Sequence, residues 1–246
     1  MARSWIPNAL TLARCILAFV CAFAVIAAER LSQRLDGAIA EWQAAGAPAP
    51  DSREYPELLS GLAPIDLMVW PIIALGAFVI AALTDLFDGV LARALDATSA
   101  FGAWLDPIAD KVLVGLVLVA IAITSQSLWL IAPAAVIITR DIYITWLRAR
   151  RGGGYALPVM AAAKWKTGLE MVAIGLLLSL PLLSAVSHDI MVSGAMTVGE
   201  MTFFSMAAER TGTTLTWLAA GLSAWTGSIY WRAAQKEPIE LGETFD

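Results

Sequence analysis

The chain has 246 residues, of which 59% are hydrophobic and 15% carry a charged side chain. Soluble domains are usually about 45–50% apolar and about 25% charged, so this composition excludes an ordinary soluble domain and indicates a membrane protein. The net charge of −5 argues against binding to nucleic acid, which requires a positively charged surface.

Six apolar segments are long enough to cross a bilayer, which takes about 20 residues of helix. In chain order, they cover residues 6–28, 66–88, 101–123, 128–148, 160–182 and 212–233. Residues 29–65 and 184–211 are more polar and are predicted to form long extracytoplasmic loops, the first with an amphipathic helix around residues 30–44. The sequence therefore predicts an all-α integral membrane protein with six transmembrane helices in a single membrane-embedded domain, residues 1–246.

The basic residues in the loops and at the ends of the spans predict the orientation, because cytoplasmic loops are enriched in Lys and Arg. With both termini in the cytoplasm, seven of these residues face the cytoplasm and four face the other side. The cluster of Arg148, Arg150 and Arg151 abuts the fourth span and favours the same orientation. We therefore expect a multi-pass protein of the cell inner membrane, with the inverted orientation as the alternative.

The ionisable residues within the spans gather at one depth of the membrane. Such residues are costly in a bilayer and usually serve a function. In the orientation above they lie in the cytoplasmic halves of the first five spans: Arg14, Asp85, Asp88, Asp106, Asp110, Lys111, Arg140, Asp141, Lys164, Lys166 and Glu170. This distribution predicts a polar cavity that opens to the cytoplasm.

Four of these carboxylates have a spacing that suits metal binding. Asp85 and Asp88 are three residues apart, and Asp106 and Asp110 are four apart, so each pair shares a helix face. Four adjacent carboxylates cannot all stay ionised without a counter-charge, and divalent cations with oxygen ligands supply one. Two such ions would clamp the attacking and leaving oxygens of a phosphoryl centre. The alternative is that these carboxylates lie at helix ends and simply face water.

Small residues accompany the carboxylates and would let a ligand approach closely. Gly89 directly follows Asp88, Ala92 lies one turn later, and Gly102 lies four residues before Asp106. Arg93 adds a donor that suits phosphate oxygens. Taken singly, the glycines would be ordinary helix-packing residues of a membrane protein.

Written with its gaps, the segment reads Asp85-x2-Asp88-Gly89-x2-Ala92-Arg93-x8-Gly102-x3-Asp106-x3-Asp110. It resembles the signature of the CDP-alcohol phosphotransferase family at every defined position. Residues 6–14 and 105–111 are similar to the corresponding parts of the bacterial members that make phosphatidylglycerolphosphate. Residues 163–167 also resemble these members, but less closely.

The resemblance implies a six-helix homodimer in which CDP-diacylglycerol is the donor, an alcohol is the acceptor and CMP is released. It implies that Asp85, Asp88 and Asp106 bind two ions of Mg²⁺ or Mn²⁺, and that Asp110 is the general base and also touches a metal. The residues that it places around the CDP group are Asn8, Thr11, Gly89, Ala92, Arg93 and Gly102.

The acceptor expected from the sequence is glycerol 3-phosphate, which leads to phosphatidylglycerol in phospholipid biosynthesis. Its phosphate would be held by the basic residues Arg140, Lys164 and Lys166, with Arg148 in reserve. Asp141 follows Arg140 where a Glu is expected, and an Arg-Asp pair here is similar to cardiolipin synthases of the same family, which would use phosphatidylglycerol. An alternative of another class is a divalent-cation transporter, although the outer halves of the spans lack the polar groups of an ion path.

Overall fold

The computed structural model describes residues 5–46, 64–95, 100–150, 161–192 and 198–236. These residues form six helices and no strand. The helices are α1 (Trp5–Ala44), α2 (Pro64–Leu95), α3 (Ala100–Ser125), α4 (Leu128–Arg150), α5 (Ala161–Val192) and α6 (Val198–Lys236). The prediction of an all-α protein with six helices, one for each apolar segment, is confirmed.

Four helices contain a segment that is long and apolar enough to cross a membrane. These segments are Ala9–Ala38 in α1, Met68–Asp85 in α2, Leu128–Leu147 in α4 and Trp165–Leu183 in α5. The apolar stretch found in α3, Lys111–Ser125, is shorter. α6 is more polar because Thr, Ser and Gly residues interrupt its apolar residues. Large apolar side chains such as Phe19, Ile72 and Val172 are exposed on the bundle, as expected for a multi-pass protein whose outside contacts lipid.

The helices are longer than the predicted spans. α1 runs without interruption to Ala44, so the expected amphipathic helix around residues 30–44 is a continuation of the first span. The predicted loop at residues 184–211 is wrong over most of its length, since α5 continues to Val192 and α6 begins at Val198. These segments are polar, but they contain no Pro that would end a helix. The rest of the first predicted loop, residues 47–63, lies outside the described residues.

A tight turn joins α3 to α4. Gln126 has a φ of 49°, the left-handed conformation that reverses a chain at a helix end. The carbonyl of Ser127 then accepts hydrogen bonds from the backbone N–H groups of Leu130 and Ile131, at 3.0 and 2.9 Å, and begins α4. The turn makes the two helices antiparallel neighbours, as the polar residues 124–127 predict.

α1 is the helix against which the following two pack. α2 and α3 both contact α1 extensively and touch each other little in the described part of the chain. α5 packs on α6, α6 on α4, and α2 on α5. The contact face of α1 consists of small buried residues, Ala18, Cys21 and Ala24, which permit a close approach of the backbones. α1 thereby brings the ends of α2 and α3 to one place.

A larger side chain in this face should separate α1 from its neighbours. Ala24 is completely buried, so we expect Ala24→Leu to lower the free energy of unfolding by about 1–3 kcal/mol through overpacking. Thermal unfolding in detergent measures the change. Phe19→Leu is the control, because Phe19 is 61% exposed on the outside of the same helix. Equal stability of Ala24→Leu and the unmodified protein would contradict this packing.

Candidate functional site

Arg14 and Asp85 form an ion pair between α1 and α2. Nη1 of Arg14 lies 2.9 Å from Oδ1 of Asp85, and the two side chains are 1% and 44% exposed. Burial of a guanidinium is costly unless an opposite charge accompanies it. Arg14 therefore supports the carboxylate from the interior of the bundle, while Asp85 stays accessible from outside. We call the end of the bundle that contains this pair the charged end.

The buried face of α1 is polar near the start of the helix and apolar farther along. Thr11 lies one turn before Arg14 and is also 1% exposed, whereas Ala18 and Cys21 continue the same buried face with small apolar side chains. Buried polar groups require hydrogen-bond partners, so the first turns of α1 lie in a polar environment. The expected place of Thr11 beside the CDP group stays a prediction.

The remaining predicted ligands belong to the last turns of α2 and the first turns of α3. Asp88 lies in α2, three residues after Asp85, so the two positions share a helix face. Asp106 and Asp110 share a face of α3 in the same way. The side chains of the following predicted site residues lie outside the described part of the structure: Asn8, Asp88, Gly89, Ala92, Arg93, Gly102, Asp106, Asp110, Arg148 and Lys164.

Asp85 is the one predicted metal ligand whose side chain is described, and it suits the role. Its carboxylate is the type of donor that hard divalent cations prefer, and it is 44% exposed at the charged end. Among the described side chains, no three His, Cys, Asp or Glu residues lie together as a metal site. A complete site would therefore need carboxylates of the adjoining turns of α2 and α3.

A second group of charges joins α4 to α5 at the same end. Oδ1 of Asp141 lies 2.9 Å from Nη1 of Arg140 and 2.7 Å from Nζ of Lys166. Lys166 is also 3.0 Å from Oε1 of Glu170, one turn along α5. All four side chains are largely buried, with exposed fractions between 2% and 15%. Two cations that were predicted to hold an acceptor phosphate thus meet at one carboxylate oxygen.

α6 holds the guanidinium of Arg140 from the other side. Nη2 of Arg140 donates a hydrogen bond of 3.2 Å to Oγ1 of Thr226, and the guanidinium carbon lies 5.6 Å from the centre of the Tyr230 ring. A cation over an aromatic ring is attracted to it. Gly227 makes room for this contact, because a Cβ there would lie 3.0 Å from Cγ of Arg140. Thr226, Gly227 and Tyr230 of α6 therefore keep Arg140 packed against this helix rather than extended into solvent.

Lys111 of α3 contacts the same region of α4. Its ammonium group donates a hydrogen bond of 3.3 Å to the backbone carbonyl of Asp141 and another to the hydroxyl of Thr145. The hydroxyl of Thr145 in turn donates to that carbonyl at 2.7 Å. Lys111 thus links the helix that carries Asp106 and Asp110 to the group around Asp141.

Two apolar grooves lie on either side of this group. The groove between α3 and α4 has a volume of about 540 Å³ and includes Lys111, Asp141 and Trp146 in its lining. The groove between α4 and α6 has a volume of about 570 Å³ and includes Arg140 and Trp231. Their linings are mostly hydrocarbon, as in sites that take apolar ligands. Charged groups beside lipid-accessible grooves fit the binding of an amphiphile.

Sequence reasoning found the cations of this region but missed their partners. Asp141 and Glu170 were recognisable only as intramembrane charges without a role. Thr226 and Tyr230 are neutral and lie on α6, whose predicted span contains no charged residue before Arg232, so no sequence signal marked them. Their contribution depends on how α6 packs against α4.

Comparison with known proteins gives consistent matches. A sequence model of the CDP-alcohol phosphatidyltransferase family matches residues 58–225. A CDP-diacylglycerol–glycerol-3-phosphate 3-phosphatidyltransferase of Cereibacter sphaeroides is 39% identical over 178 residues, which cover 65% of this chain and 80% of the relative.

Two further relatives have the same name. That of Pectobacterium atrosepticum is 41% identical over 142 residues, or 56% of this chain and 77% of the relative. That of Salmonella choleraesuis is 34% identical over 173 residues, or 69% and 82%. No solved structure shows significant similarity to the chain.

The ion pair between α1 and α2 predicts an unequal response to removal of either partner. We expect Asp85→Ala to lower the free energy of unfolding by about 3 kcal/mol, because it takes a carboxylate away from the buried Arg14. Arg14→Met should cost less, about 1 kcal/mol, because the half-exposed Asp85 can turn to water. Thermal unfolding in detergent with EDTA present gives both values without a contribution from metal. The reverse order would contradict the assignment of Arg14 as the buried partner.

Proposed function

The chain belongs to the CDP-alcohol phosphatidyltransferase family, and on that premise we propose that it transfers the phosphatidyl group of CDP-diacylglycerol to glycerol 3-phosphate and releases CMP. The family match covers more than half of the chain and includes both Asp pairs. Relatives named for this reaction are 34–41% identical to it. The protein is therefore a transferase of the EC 2.7.8 type, and the predicted membership of the family is confirmed.

The structural observation that carries the choice of acceptor is the meeting of Arg140 and Lys166 at the charged end. Glycerol 3-phosphate brings an anionic phosphate, and Arg in particular binds phosphate through paired hydrogen bonds. Both cations lie within helices rather than in loops that follow them, so they are not simple anchors to lipid headgroups. Lys164 and Arg148, on the same two helices, would complete the site.

The family is generally dependent on divalent metal. We propose that Asp85, Asp88, Asp106 and Asp110 hold two ions of Mg²⁺ or Mn²⁺. When bound, the ions would supply the positive charge that offsets the diphosphate of the donor. Around the nucleotide, small residues at Gly89, Ala92 and Gly102 would leave space for it, and the side chains Asn8, Thr11 and Arg93 would bind its polar groups.

In the transfer step, Asp110 accepts the proton of the acceptor hydroxyl. The hydroxyl oxygen forms a bond to the phosphorus that carries diacylglycerol, the bond from that phosphorus to the bridging oxygen breaks, and CMP leaves with the electron pair. Arg140 and Lys166 hold the acceptor by its own phosphate, so that the attacking oxygen is in line with the leaving group. Most of the catalysis is then positioning and electrostatic stabilisation, as in other phosphoryl transfers.

We further propose a homodimer in the inner membrane with the charged end toward the cytoplasm and one catalytic domain, residues 1–246. The excess of Lys and Arg at the predicted cytoplasmic ends supports this orientation. A water-soluble acceptor also requires an aqueous face at the site. The names of the relatives do not favour a cardiolipin synthase that uses phosphatidylglycerol, and the family does not favour a divalent-cation transporter.

A panel of acceptors tests the assignment. Purified protein with CDP-diacylglycerol and Mg²⁺ should release CMP when given glycerol 3-phosphate, and little when given glycerol, inositol, serine or phosphatidylglycerol. The product with glycerol 3-phosphate should be phosphatidylglycerolphosphate by mass spectrometry. CMP release with a different member of the panel would overturn the acceptor, and release with none would overturn the reaction.

Removal of the general base should abolish turnover. We expect Asp110→Asn to lower kcat at least about 10²-fold, because the amide cannot accept the proton. EDTA should stop the reaction of the unmodified protein, and Mg²⁺ or Mn²⁺ should restore it. Glu209→Gln is the matched control, because it makes the same change from carboxylate to amide, and Glu209 lines a cavity with Glu29 whose lining residues do not belong to the Asp motif. Full activity of Asp110→Asn would show that another group takes the proton.

A further inference from the structure

Arg140 and Lys166 are held close together by one carboxylate. Each contacts the same oxygen of Asp141, at 2.9 and 2.7 Å, so their nitrogens cannot be more than 5.6 Å apart (2.9 Å plus 2.7 Å). A charge-assisted hydrogen bond to an oxyanion is about 2.7–2.9 Å long, so two donors at this separation can reach oxygens of one phosphate. Two cations this close would repel each other and move apart if no anion lay between them.

The four side chains that are joined by ion pairs balance in charge. Arg140 and Lys166 contribute two positive charges, and Asp141 and Glu170 contribute two negative charges. Isolated charges within a membrane are costly, and long basic side chains turn toward water when they can. The two carboxylates therefore allow both cations to remain within their helices, where Arg140 and Asp141 are the more exposed members of the group, at 13% and 15%.

We propose that Asp141 is the positioning residue of the acceptor site: it fixes the spacing and direction of Arg140 and Lys166, so that both bind the phosphate of glycerol 3-phosphate. This inference rests on the proposed function. Thr226 and Tyr230 fix the guanidinium from α6, and Glu170 keeps Lys166 in place from its own helix. Lys111 holds the backbone of Asp141 itself. Asp141 is the member of the group that contacts both cations.

Glu170 provides an internal comparison. It is as buried as Lys166, which lies one turn away on the same helix and is its ion-pair partner among the described residues. Loss of its carboxylate should therefore affect one cation, whereas loss of the Asp141 carboxylate should affect both. Asp141→Asn and Glu170→Gln make the same chemical change at the two positions.

The test is steady-state kinetics of CMP release by the full-length protein, with each substrate varied in turn. We expect Asp141→Asn to raise the KM for glycerol 3-phosphate by about tenfold or more and to leave the KM for CDP-diacylglycerol within about twofold, because only binding of the acceptor loses its geometry. Glu170→Gln should raise the first KM by less. Asp141→Glu keeps the charge but moves it by one methylene, so its KM for glycerol 3-phosphate should lie between those of Asp141→Asn and the unmodified protein.

A purely structural role would give a different pattern. If Asp141 only ties α4 to α5, Asp141→Asn should lower the unfolding temperature and leave both KM values unchanged or change them equally, and that result overturns the proposal. Should Asp141→Asn not fold, Asp141→Glu decides alone: a selective rise in the KM for glycerol 3-phosphate supports positioning, and an unchanged KM overturns it. Failure of the proposed function would instead appear with the unmodified protein, as CMP release that requires an acceptor without a phosphate.

Discussion

The cost of placing charge within a bilayer governs the charged end of this protein. Each described intramembrane cation there has a carboxylate or a hydrogen-bond acceptor beside it: Arg14 has Asp85, Arg140 and Lys166 have Asp141, and Lys111 has the carbonyl of Asp141 and the hydroxyl of Thr145. Removal of one partner from such a pair costs more than the pair contributes, because a buried charge is left behind. The helices are therefore held in register by their charges as well as by apolar packing.

Apolar packing decides which charges can meet. Small residues on α1 let α2 approach closely, so that Arg14 reaches Asp85 across the contact. Gly227 does the same on α6, where the absence of a side chain leaves room for Arg140 to reach Thr226 and the ring of Tyr230. The α1–α2–α3 group carries the Asp motif, and the α4–α5–α6 group carries the cations of the proposed acceptor site. Lys111 connects the two groups, because it belongs to the first and contacts the second.

Much of this arrangement could be predicted from the sequence, because the bilayer imposes a simple rule on composition. The six helices follow from apolar length, and the presence of Arg140 and Lys166 at one depth follows from their positions within spans. The polar segment at residues 184–211 misled the prediction, since a helix can continue into water when no Pro ends it. The meeting of Arg140 with Lys166 could not be predicted, because it depends on the rotation of α4 against α5. Thr226 and Tyr230 carried no signal at all, since neutral residues are common in any span.

The place of Asp141 also gives a physical reason for the Arg-Asp pair that departs from the expected Arg-Glu. An Asp has one methylene and keeps its carboxylate close to the axis of α4, where its Oδ1 is reached by Arg140 from the neighbouring position of the same helix. The carboxylate of a Glu would lie farther from the axis of α4 and nearer to α5. It would therefore interact less with Arg140 and more with Lys166. The length of this one side chain thus sets how two cations share an anion. Under the proposed function, the Asp motif would keep the donor chemistry constant while residues of α4 and α5 would adapt the site to its acceptor, as expected when one fold supports several specificities.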